Sequence, residues 1–354
     1  MRFLHTADFH LKMNPEKDRK REIYDTFERI VLSAGEQGAE LLLIAGDMFH
    51  EQPRMKDLKE VDSVFARIPA VHVVIIAGNH DYIGARSAYG EFTWSPNVTF
   101  LASERPESVY FEDINTEVYG FSYHERMLRE DRTEGIRPTD PSRINLLMVH
   151  GGTPGDVPFD AKALENSGFD YVALGHIHKA AELGKRVRYC GSPEPLDRNE
   201  TGEHGYILGS IDNENHEDRQ FSFVAASRRR FFHENVTVTP DMTQFMLKEN
   251  INRLTADKGR ENYYCIGLTG RRSPDIVFDT AELTGALTGE GSGAVLSVTD
   301  NTVPDYDFDR LQAENGDNVI GMYIASVKAS GEAGEVVEKA LYYGLEALKE
   351  DIRK

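Results

Sequence analysis

The sequence has very little cysteine, no long apolar run and no signal for export. Cys190 and Cys265 are the only cysteines among 354 residues, so we expect neither a disulfide framework nor a thiolate pair for zinc. No apolar run approaches the ~20 residues that span a bilayer. The opening residues, MRFLHTADFH, lack the apolar core and cleavage site of a signal peptide. We therefore expect a cytoplasmic protein that has no membrane partner.

The chain also lacks an excess of positive charge. Its formal net charge is −19, whereas proteins that bind nucleic acid through the phosphate backbone usually present a basic face. Any contact with DNA must therefore depend on local patches, bound metal cations or a partner subunit. The triplet Arg228-Arg229-Arg230 is either such a patch or an exposed turn, and we favour the turn. No G-x-x-x-x-G-K-[ST] loop is present, so ATP hydrolysis by the P-loop route is excluded.

The main positive signal is an apolar run followed by a small residue and a metal-competent side chain. In the stretch LLLIAGDMFH, five apolar residues precede Gly46, Asp47 and His50. Such a run predicts a strand that is buried on both faces. In α/β folds the carboxyl end of a buried parallel strand is where ligand sites form, so Asp47 is a candidate site residue.

The same pattern occurs after four other predicted strands. They are Phe3–Thr6 before Asp8 and His10, Val71–Ile76 before Gly78-Asn79-His80-Asp81, Ile144–Val149 before His150, and Tyr171–Leu174 before His176 and His178. Each motif is weak alone, because a single histidine at a strand end is more often structural than a ligand. Six of the 12 histidines follow these strands, and we predict that the five strand ends form one site. His5, within the first strand, is expected to pack in the core.

The residue types at these strand ends predict two divalent metal ions. Imidazole and oxygen ligands without thiolate suit Mn²⁺, Fe or Zn²⁺, and Mg²⁺ less well. The candidate ligands are too many for one ion, but two ions can be served if one carboxylate bridges them. A pair ~3.5–4 Å apart stabilises the attacking and leaving oxygens of a phosphoryl displacement, and lowers the pKa of bound water from ~15.7 towards ~7.

The order of predicted elements indicates an α/β protein with a smaller second part. Strands and helices alternate as far as Leu174, which predicts βαβ units, with helices at Pro15–Glu40 and around Leu58–Ile68. From Tyr189 the pattern changes to short strands that we expect to be antiparallel and to form a second sheet against the first. These strands are Tyr206–Ser210, Phe221–Val224 and Phe231–Val238.

No ligand cluster is apparent in the C-terminal third, which is predicted to be a compact α+β module over residues 241–330. Its predicted elements are a helix Met242–Leu254, strands Tyr263–Thr269 and Ala294–Val298, and a helix near Phe308–Asn315. The final segment places Leu341, Leu345 and Leu348 at helical spacing. It predicts an amphipathic helix, Val336–Ile352, that packs on its own domain or on a partner.

The five motifs resemble the signature motifs of the calcineurin-like metallophosphoesterases. They are Asp8-Phe9-His10, Gly46-Asp47-Met48-Phe49-His50, Gly78-Asn79-His80-Asp81, His150-Gly151 and Gly175-His176-Ile177-His178. HTADFHL, GDMFH and YCGSPEPLDRNETGEHGY are similar to the SbcD-type DNA-repair nuclease branch, over residues 1 to about 210. The resemblance implies a four-layer α/β/β/α sandwich of two mixed sheets flanked by helices. It divides the chain into a metallophosphoesterase domain (1–230), an α+β capping domain (231–330) and a C-terminal amphipathic helix (331–354).

The resemblance also implies a role for each site residue. The implied ligands are Asp8, His10 and His178 for the first metal, Asn79, His150 and His176 for the second, and Asp47 as the bridge. His80 would face the scissile phosphate, where it stabilises the pentacovalent state or protonates the leaving oxygen, with His50 orienting it. Asp81 would fix its loop through hydrogen bonds.

As a function, the resemblance implies a Mn²⁺-dependent nuclease that degrades DNA ends 3′ to 5′ and cuts hairpins or single strands. Such nucleases work with a coiled-coil ABC-type ATPase subunit, SbcC-like, that gates access. They are homodimers through helices after the second and third motifs, here Met55–Ile68 and Ser87–Trp94. The single C-terminal helix is then a reduced docking element for the ATPase, unless the partner is held differently or there is none.

Two rival functions stay open at this point. A stand-alone metallophosphodiesterase acting on nucleotides or small phosphoesters suits the acidic charge, although such an enzyme needs no module beyond residue 240. A non-enzymatic interaction subunit is the weakest alternative, because every ligand position is filled.

Overall fold

The computed structural model describes residues 1–13, 19–288 and 294–352, and the chain divides into two compact units. The first comprises Met1–Phe232 and Glu261–Tyr263, and the second His233–Arg260 and Tyr264–Lys354. Within the described ranges, no helix combines the length and the apolar character needed to cross a membrane.

The first unit contains twelve complete strands and three α-helices among its described residues. The strands are β1 (Arg2–Thr6), β2 (Leu41–Ala45), β3 (His72–Ile76), β4 (Val98–Phe100), β5 (Glu107–Phe111), β6 (Thr116–Gly120), β7 (Ile144–His150), β8 (Tyr171–Gly175), β9 (Ala181–Glu182), β10 (Val187–Tyr189), β11 (Gly205–Ile211) and β12 (Arg219–Ala225). The helices are α1 (Lys20–Glu36), α2 (Met55–Phe65) and α3 (Ala161–Glu165).

These strands form two mixed six-stranded sheets. The first has the order β12-β11-β1-β2-β3-β4, in which β1 to β4 are parallel and β11 and β12 antiparallel. The second has the order β5-β6-β7-β8-β10-β9, with β6, β7, β8 and β10 parallel. The predicted fold class, two mixed sheets flanked by helices, is confirmed.

The predicted partner of the short strands after Tyr189 is wrong. Tyr206–Ser210 and Phe221–Val224 fall in β11 and β12, which are antiparallel, but β11 pairs with β1, so that Leu4 lies opposite Leu208, and both strands extend the first sheet. The third predicted strand, Phe231–Val238, belongs to a separate sheet. The second sheet is built instead from strands between β5 and β10. The predicted alternation of strands and helices is also not strict, because β4, β5 and β6 separate β3 from β7 with no α-helix among them. Hydrophobic period identifies a strand, but it does not determine which edge that strand pairs with.

Three layers of apolar side chains hold the first unit together. In β2, Leu42 and Ile44 pack towards α1 and α2, whereas Leu41 and Leu43 pack between the two sheets. The outer face of the second sheet packs against Leu164 of α3 and other buried side chains. Each such side chain contributes about 1.5–3 kcal/mol on burial. This alternation explains why β2 is apolar throughout: both of its faces are buried.

The helices follow their apolar stripes but end earlier than predicted. In α1, Ile23, Phe27 and Ile30 are buried at helical spacing. The predicted helix Pro15–Glu40 ends at Glu36, because Gly38 adopts a left-handed φ of 65°, and its residues 15–18 lie outside the described residues. The second helix stops at Phe65 rather than Ile68.

The arginine triplet lies between β12 and the next strand, and its charges are neutralised. The ion pairs are Arg228 to Asp25 at 3.2 Å, Arg229 to Glu22 at 2.6 Å and Arg230 to Glu203 at 2.7 Å. These pairs favour the predicted turn over a nucleic-acid patch.

The second unit is an α+β module. Its elements are β13 (Phe231–Val238, which begins in the first unit), α4 (Gln244–Lys258), β14 (Tyr263–Arg272), α5 (Thr280–Leu287), β15 (Ala294–Asp300), β16 (Val303–Pro304), α6 (Phe308–Glu314), α7 (Val319–Lys328) and α8 (Gly334–Ile352). The sheet order is β13-β14-β15, and β16 pairs with β14. The sequence did not predict α5 and α7. The C-terminal helix α8 lies within this unit, where Leu341 and Leu345 are buried.

Candidate metal centre

The five predicted strand ends meet at one edge of the sandwich. The ends of β1, β2 and β3 come from the first sheet, and those of β7 and β8 from the second. Glycines let the two sheets approach: a Cβ on Gly46 would lie 2.4 Å from Nδ1 of His150, and one on Gly78 would lie 2.8 Å from Cε1 of His150. Gly46 and Gly78, which precede Asp47 and Asn79, are therefore required by the close packing of the loops.

Four of the predicted ligands have left-handed backbone conformations. The φ values are 54° for Asp8, 45° for His10, 49° for Asp47 and 95° for His176. Such conformations cost about 1–3 kcal/mol each for non-glycine residues and are concentrated at functional sites. Hydrogen bonds between loops hold them, among them Asp8 N to Gly46 O at 3.1 Å and His10 N to Asp47 O at 3.0 Å. The strained turns direct these side chains towards one point.

One group of ligand atoms is formed by Asp8, His10 and His178, whose candidate donor atoms lie within 4.8 Å of one another. Nε2 of His10 is 3.1 Å from Nε2 of His178. Nδ1 of His178 donates to the Glu200 carboxylate at 2.7 Å, so Nε2 is the nitrogen left for a metal. A cation between these two nitrogens would satisfy both.

A second group of ligand atoms surrounds His150. Its Nε2 is 3.0 Å from Oδ1 of Asn79, and its Nδ1 donates to the Ala45 carbonyl at 2.9 Å. The carbonyl can only accept, so Nε2 is the nitrogen left for a metal. His176 lies beside this group, with its ring centroid 5.3 Å from that of His150.

Asp47 joins the two groups. Its Oδ2 is 3.5 Å from Nε2 of His10 and 3.4 Å from Nε2 of His150. Its Oδ1 accepts a hydrogen bond from the backbone N–H of His80 at 2.9 Å. One buried carboxylate oxygen therefore faces both sets of nitrogens, as a ligand shared by two cations would. Imidazole, carboxylate and amide donors converging in this way fit divalent metals.

His50 and His80 form the half-buried side of the centre. Their rings stack with centroids 4.9 Å apart and an interplanar angle of 28°. Nδ1 of His80 donates to the backbone carbonyl of His50 at 3.0 Å. Nδ1 of His50 lies 3.3 Å from Nδ1 of His10, so the pair adjoins the buried ligands.

Asp81 is fully buried and connects the loops that follow β2 and β3. Its Oδ1 accepts from the N–H of Gly78 at 2.8 Å, and its Oδ2 from the N–H of Phe49 at 3.2 Å and the hydroxyl of Tyr89 at 2.9 Å. The structure thus brings together all ten residues that the sequence singled out, and places Asp81 beneath the others. His5 is buried, with its Nδ1 2.9 Å from the Tyr171 hydroxyl.

Two residues near the centre were missed by sequence reasoning. Glu200 contacts His178, as described above, and its second oxygen accepts from the N–H of Leu196 at 2.7 Å. Asp156 lies 3.7 Å from Nε2 of His176. Asp156 lies six residues beyond His150 in the loop after β7, and Glu200 lies in a loop that follows no apolar run of the kind used to find the ligands. For Glu200 the available signal was its place within the SbcD-like stretch 189–206.

Burial and neighbouring charges set the protonation states in the metal-free centre. Burial raises the pKa of Asp8 to about 6. Burial opposes the charge on His150, but the Asp47 carboxylate and the other acceptors outweigh it and raise the pKa of His150 to about 9. Burial also disfavours the charge on Asp47, but His150 and the other histidines keep the pKa of Asp47 below its ordinary value. Burial, together with the charge on His150, lowers the pKa of His176 to about 4. The metal-free centre therefore holds a His150–Asp47 ion pair, and a metal must displace its proton.

Comparison with known proteins agrees with the family resemblance of the five sequence motifs. The sequence profile of the family described as calcineurin-like phosphoesterases matches residues 1–180. The chain is 32% identical over 239 residues to an uncharacterized metallophosphoesterase, YhaO, of Bacillus subtilis (strain 168), covering 60% of this chain and 57% of that protein. It is 27% identical over 261 residues to the DNA double-strand break repair protein Mre11 of Methanopyrus kandleri, covering 64% and 58%.

A third relative is the SbcD subunit of the SbcCD nuclease of Escherichia coli (strain K12). The identity is 26% over 255 residues, covering 58% of this chain and 64% of that protein. The chain therefore spans less than two thirds of the length of each of these three relatives.

Proposed function

The chain belongs to the calcineurin-like phosphoesterase family, and we propose that it is a two-metal phosphodiesterase that hydrolyses DNA. The observation that carries the proposal is the position of Asp47, whose Oδ2 lies 3.5 Å from His10 and 3.4 Å from His150. A shared carboxylate between two sets of nitrogen and oxygen ligands is what a pair of catalytic divalent ions requires.

The ligand set divides at Asp47. The residues that would hold the first ion are Asp8, His10 and His178, and those for the second are Asn79, His150 and His176. We propose Mn²⁺ as the ion, because the set mixes oxygen ligands with imidazole and contains no thiolate. When bound, the pair would polarise a phosphoryl oxygen and provide a water nucleophile at neutral pH.

The chain's own residues position the substrate and move the proton. Because Nδ1 of His80 donates to the His50 carbonyl, Nε2 is the atom that can hold a proton for the leaving oxygen. The backbone N–H of His80 is bonded to Asp47, which fixes the acid relative to the ligands. His50 stacks on the His80 ring and limits its rotation. Both histidines lie on the half-buried side, where a substrate can approach.

DNA is the proposed substrate because two of the relatives carry DNA-repair or nuclease names and the SbcD-like motifs support the same assignment. We propose exonuclease action from 3′ to 5′ at ends, and endonuclease action on hairpins and single strands. The name of the Escherichia coli relative describes it as one subunit of a nuclease.

A partner and a second copy of the chain complete the proposal. A coiled-coil ABC-type ATPase is the proposed partner, with a homodimer formed through α2 and residues 87–94. In the second unit, Val319 and Met322 of α7 and Val336 and Tyr343 of α8 are exposed, which supports a partner on these helices.

A second candidate function is a stand-alone phosphodiesterase acting on nucleotides or small phosphoesters. The net charge of −19 favours it, because DNA is repelled by an acidic protein.

A substrate panel separates the two functions. Purified protein with Mn²⁺ is incubated with end-labelled duplex, a single strand, a hairpin and bis(p-nitrophenyl) phosphate. We expect the labelled strands to shorten from their 3′ ends and the hairpin to be opened. Asp47→Ala, purified in parallel, is the control for contaminating nucleases and should be inactive. Intact DNA beside a hydrolysed small diester would contradict the proposal and support the second candidate.

A further inference from the structure

Residues 123–128, which we call the crossing loop, connect two sides of the metal centre. At its start, the N–H of Tyr123 donates to the Ala77 carbonyl at 3.2 Å, just beyond β3. The Tyr123 carbonyl accepts from the N–H of Ile83 at 2.7 Å, in the loop that carries His80. The crossing loop is thus attached to the side of the centre built from the first sheet.

The rest of the crossing loop is attached to the side built from the second sheet. The hydroxyl of Tyr123 donates to the backbone carbonyl of His150 at 3.0 Å. The carbonyl of Leu128 accepts from the N–H of Val157 at 2.6 Å, in the loop that follows β7. Both ends of the loop are therefore fixed to backbone that positions metal ligands, and the residues between them lie at the border of the centre.

Those intervening residues are exposed. Glu125 and Arg126 face solvent, and Met127 is 55% exposed. An exposed guanidinium thus lies on the loop that borders the centre, between two attachments to backbone that positions metal ligands.

Arg126 is not neutralised by a carboxylate. In the part of the chain that the structure describes, it forms no hydrogen bond or ion pair. In contrast, Arg132 contacts Glu104 at 3.3 Å and Glu130 at 3.1 Å. Lys12 contacts Glu51 at 2.9 Å, so the acid beside His50 already has a partner. An unpaired arginine is thus available for an anion from outside the protein.

We propose that the Arg126 guanidinium binds a phosphate next to the scissile one in a DNA strand, and that Met127 packs against the adjoining sugar or base. This inference rests on the proposed DNA substrate. The planar guanidinium matches two phosphate oxygens, and the flexible thioether adapts to an irregular apolar surface. The crossing loop would then favour a polynucleotide over a small phosphodiester, which has no second phosphate, and would supply a local positive contact in an acidic chain.

The test compares Arg126→Ala on two substrates. The readout is the ratio of kcat/KM on a single-stranded oligonucleotide to kcat/KM on bis(p-nitrophenyl) phosphate, which contains one phosphate. We expect this ratio to fall about tenfold, as for the loss of a charged hydrogen bond. The slope of log kcat/KM for the oligonucleotide against log salt should become shallower by about 0.7. Arg126→Lys should restore part of the ratio.

Arg2→Ala is the matched control, because it removes an exposed arginine at the amino end of β1, away from the centre. It should leave the ratio unchanged. An equal loss on both substrates for Arg126→Ala would overturn the inference, since Arg126 would then act on the scissile phosphate or through His50. An unchanged ratio would overturn it as well. If the unmodified protein leaves the oligonucleotide intact, the proposed function itself is contradicted, and this result is distinct from any effect of the Arg126 variant.

Discussion

Nδ1 of His178 donates a hydrogen bond to Oε1 of Glu200 at a distance of 2.7 Å. Burial disfavours the charged ring, but this bond and nearby carboxylates raise the pKa of His178 above its ordinary value. A carboxylate in this position orients a ligand histidine and increases its basicity towards a metal. We therefore regard Glu200 as a positioning residue for the first proposed ion.

Glu200→Gln keeps a hydrogen-bond acceptor but removes the charge. We expect the apparent affinity for Mn²⁺ to fall about 10–100-fold, with kcat largely retained at saturating Mn²⁺. Mn²⁺ titrations followed by activity and by electron paramagnetic resonance measure the two quantities. Glu203→Gln, an exposed neighbour that pairs with Arg230, is the control and should behave as the unmodified protein. Equal Mn²⁺ affinities for both variants would show that Glu200 does not position a metal ligand.

His80→Ala distinguishes the two roles that the sequence left open for this residue. If His80 protonates the leaving oxygen, DNA cleavage should fall about 10²–10⁴-fold, because the alkoxide leaving group needs a proton. Hydrolysis of bis(p-nitrophenyl) phosphate should fall much less, since nitrophenolate leaves unprotonated. Steady-state rates on both substrates at saturating Mn²⁺ provide the measurement. Equal losses would assign His80 to stabilisation of the pentacovalent state instead.

Gly78→Ala tests the close packing of the loops. The added methyl group would lie 2.2 Å from Oδ1 of Asp47 and 2.7 Å from its backbone nitrogen, so the carboxylate must move. We expect loss of tightly bound Mn²⁺ and of activity, with a decrease of about 1–3 kcal/mol in the free energy of unfolding. Gly285→Ala, in α5 of the second unit, has open space around the new methyl group and should lower neither the metal content nor the stability. Metal content by elemental analysis, measured on both variants, decides the point.

The burial of His5 predicts that the stability of the folded protein decreases at acid pH. Burial lowers the pKa of His5 to about 3, from an ordinary value of 6.5. Between these pH values the unfolded chain binds more protons, so this contribution to stability is complete above pH 6.5 and decreases as the pH falls towards 3. The slope is about 1.4 kcal/mol per pH unit.

His5→Gln should remove this slope. Urea unfolding of the two metal-free proteins at pH 7 and pH 5 provides the comparison. The free energy of unfolding of the variant, relative to that of the unmodified protein, should be higher at pH 5 than at pH 7. The raised pKa values of Asp8 and Asp81, each about 6, act in the opposite direction but are present in both proteins. A constant difference between the two proteins would mean that His5 titrates normally.

The parts of the fold that the sequence predicted are those with a strong local signal. The strand Leu41–Ala45 and its four counterparts are buried on both faces, so a continuous apolar run identified each of them. The strand Val98–Phe100 has no such run, because its residues are only partly buried. The pairing of β11 with β1 joins segments that are remote in sequence, and nothing in either segment specifies it.

The candidate site likewise has residues that the sequence predicted and features that it did not. Strand ends located Asp8, Asp47 and His150 because these residues follow buried runs. Glu200 was missed, because it reaches His178 from a loop 22 residues later. The left-handed backbone at Asp47 could not be predicted either, because glycine is the usual sequence signal for a positive φ and this position has an aspartate.

Anomalous scattering from crystals grown with Mn²⁺ tests the two-ion centre most directly. We expect two manganese peaks about 3.5–4 Å apart, with the Asp47 carboxylate in contact with both. A single peak, or two peaks of which only one contacts Asp47, would contradict the account.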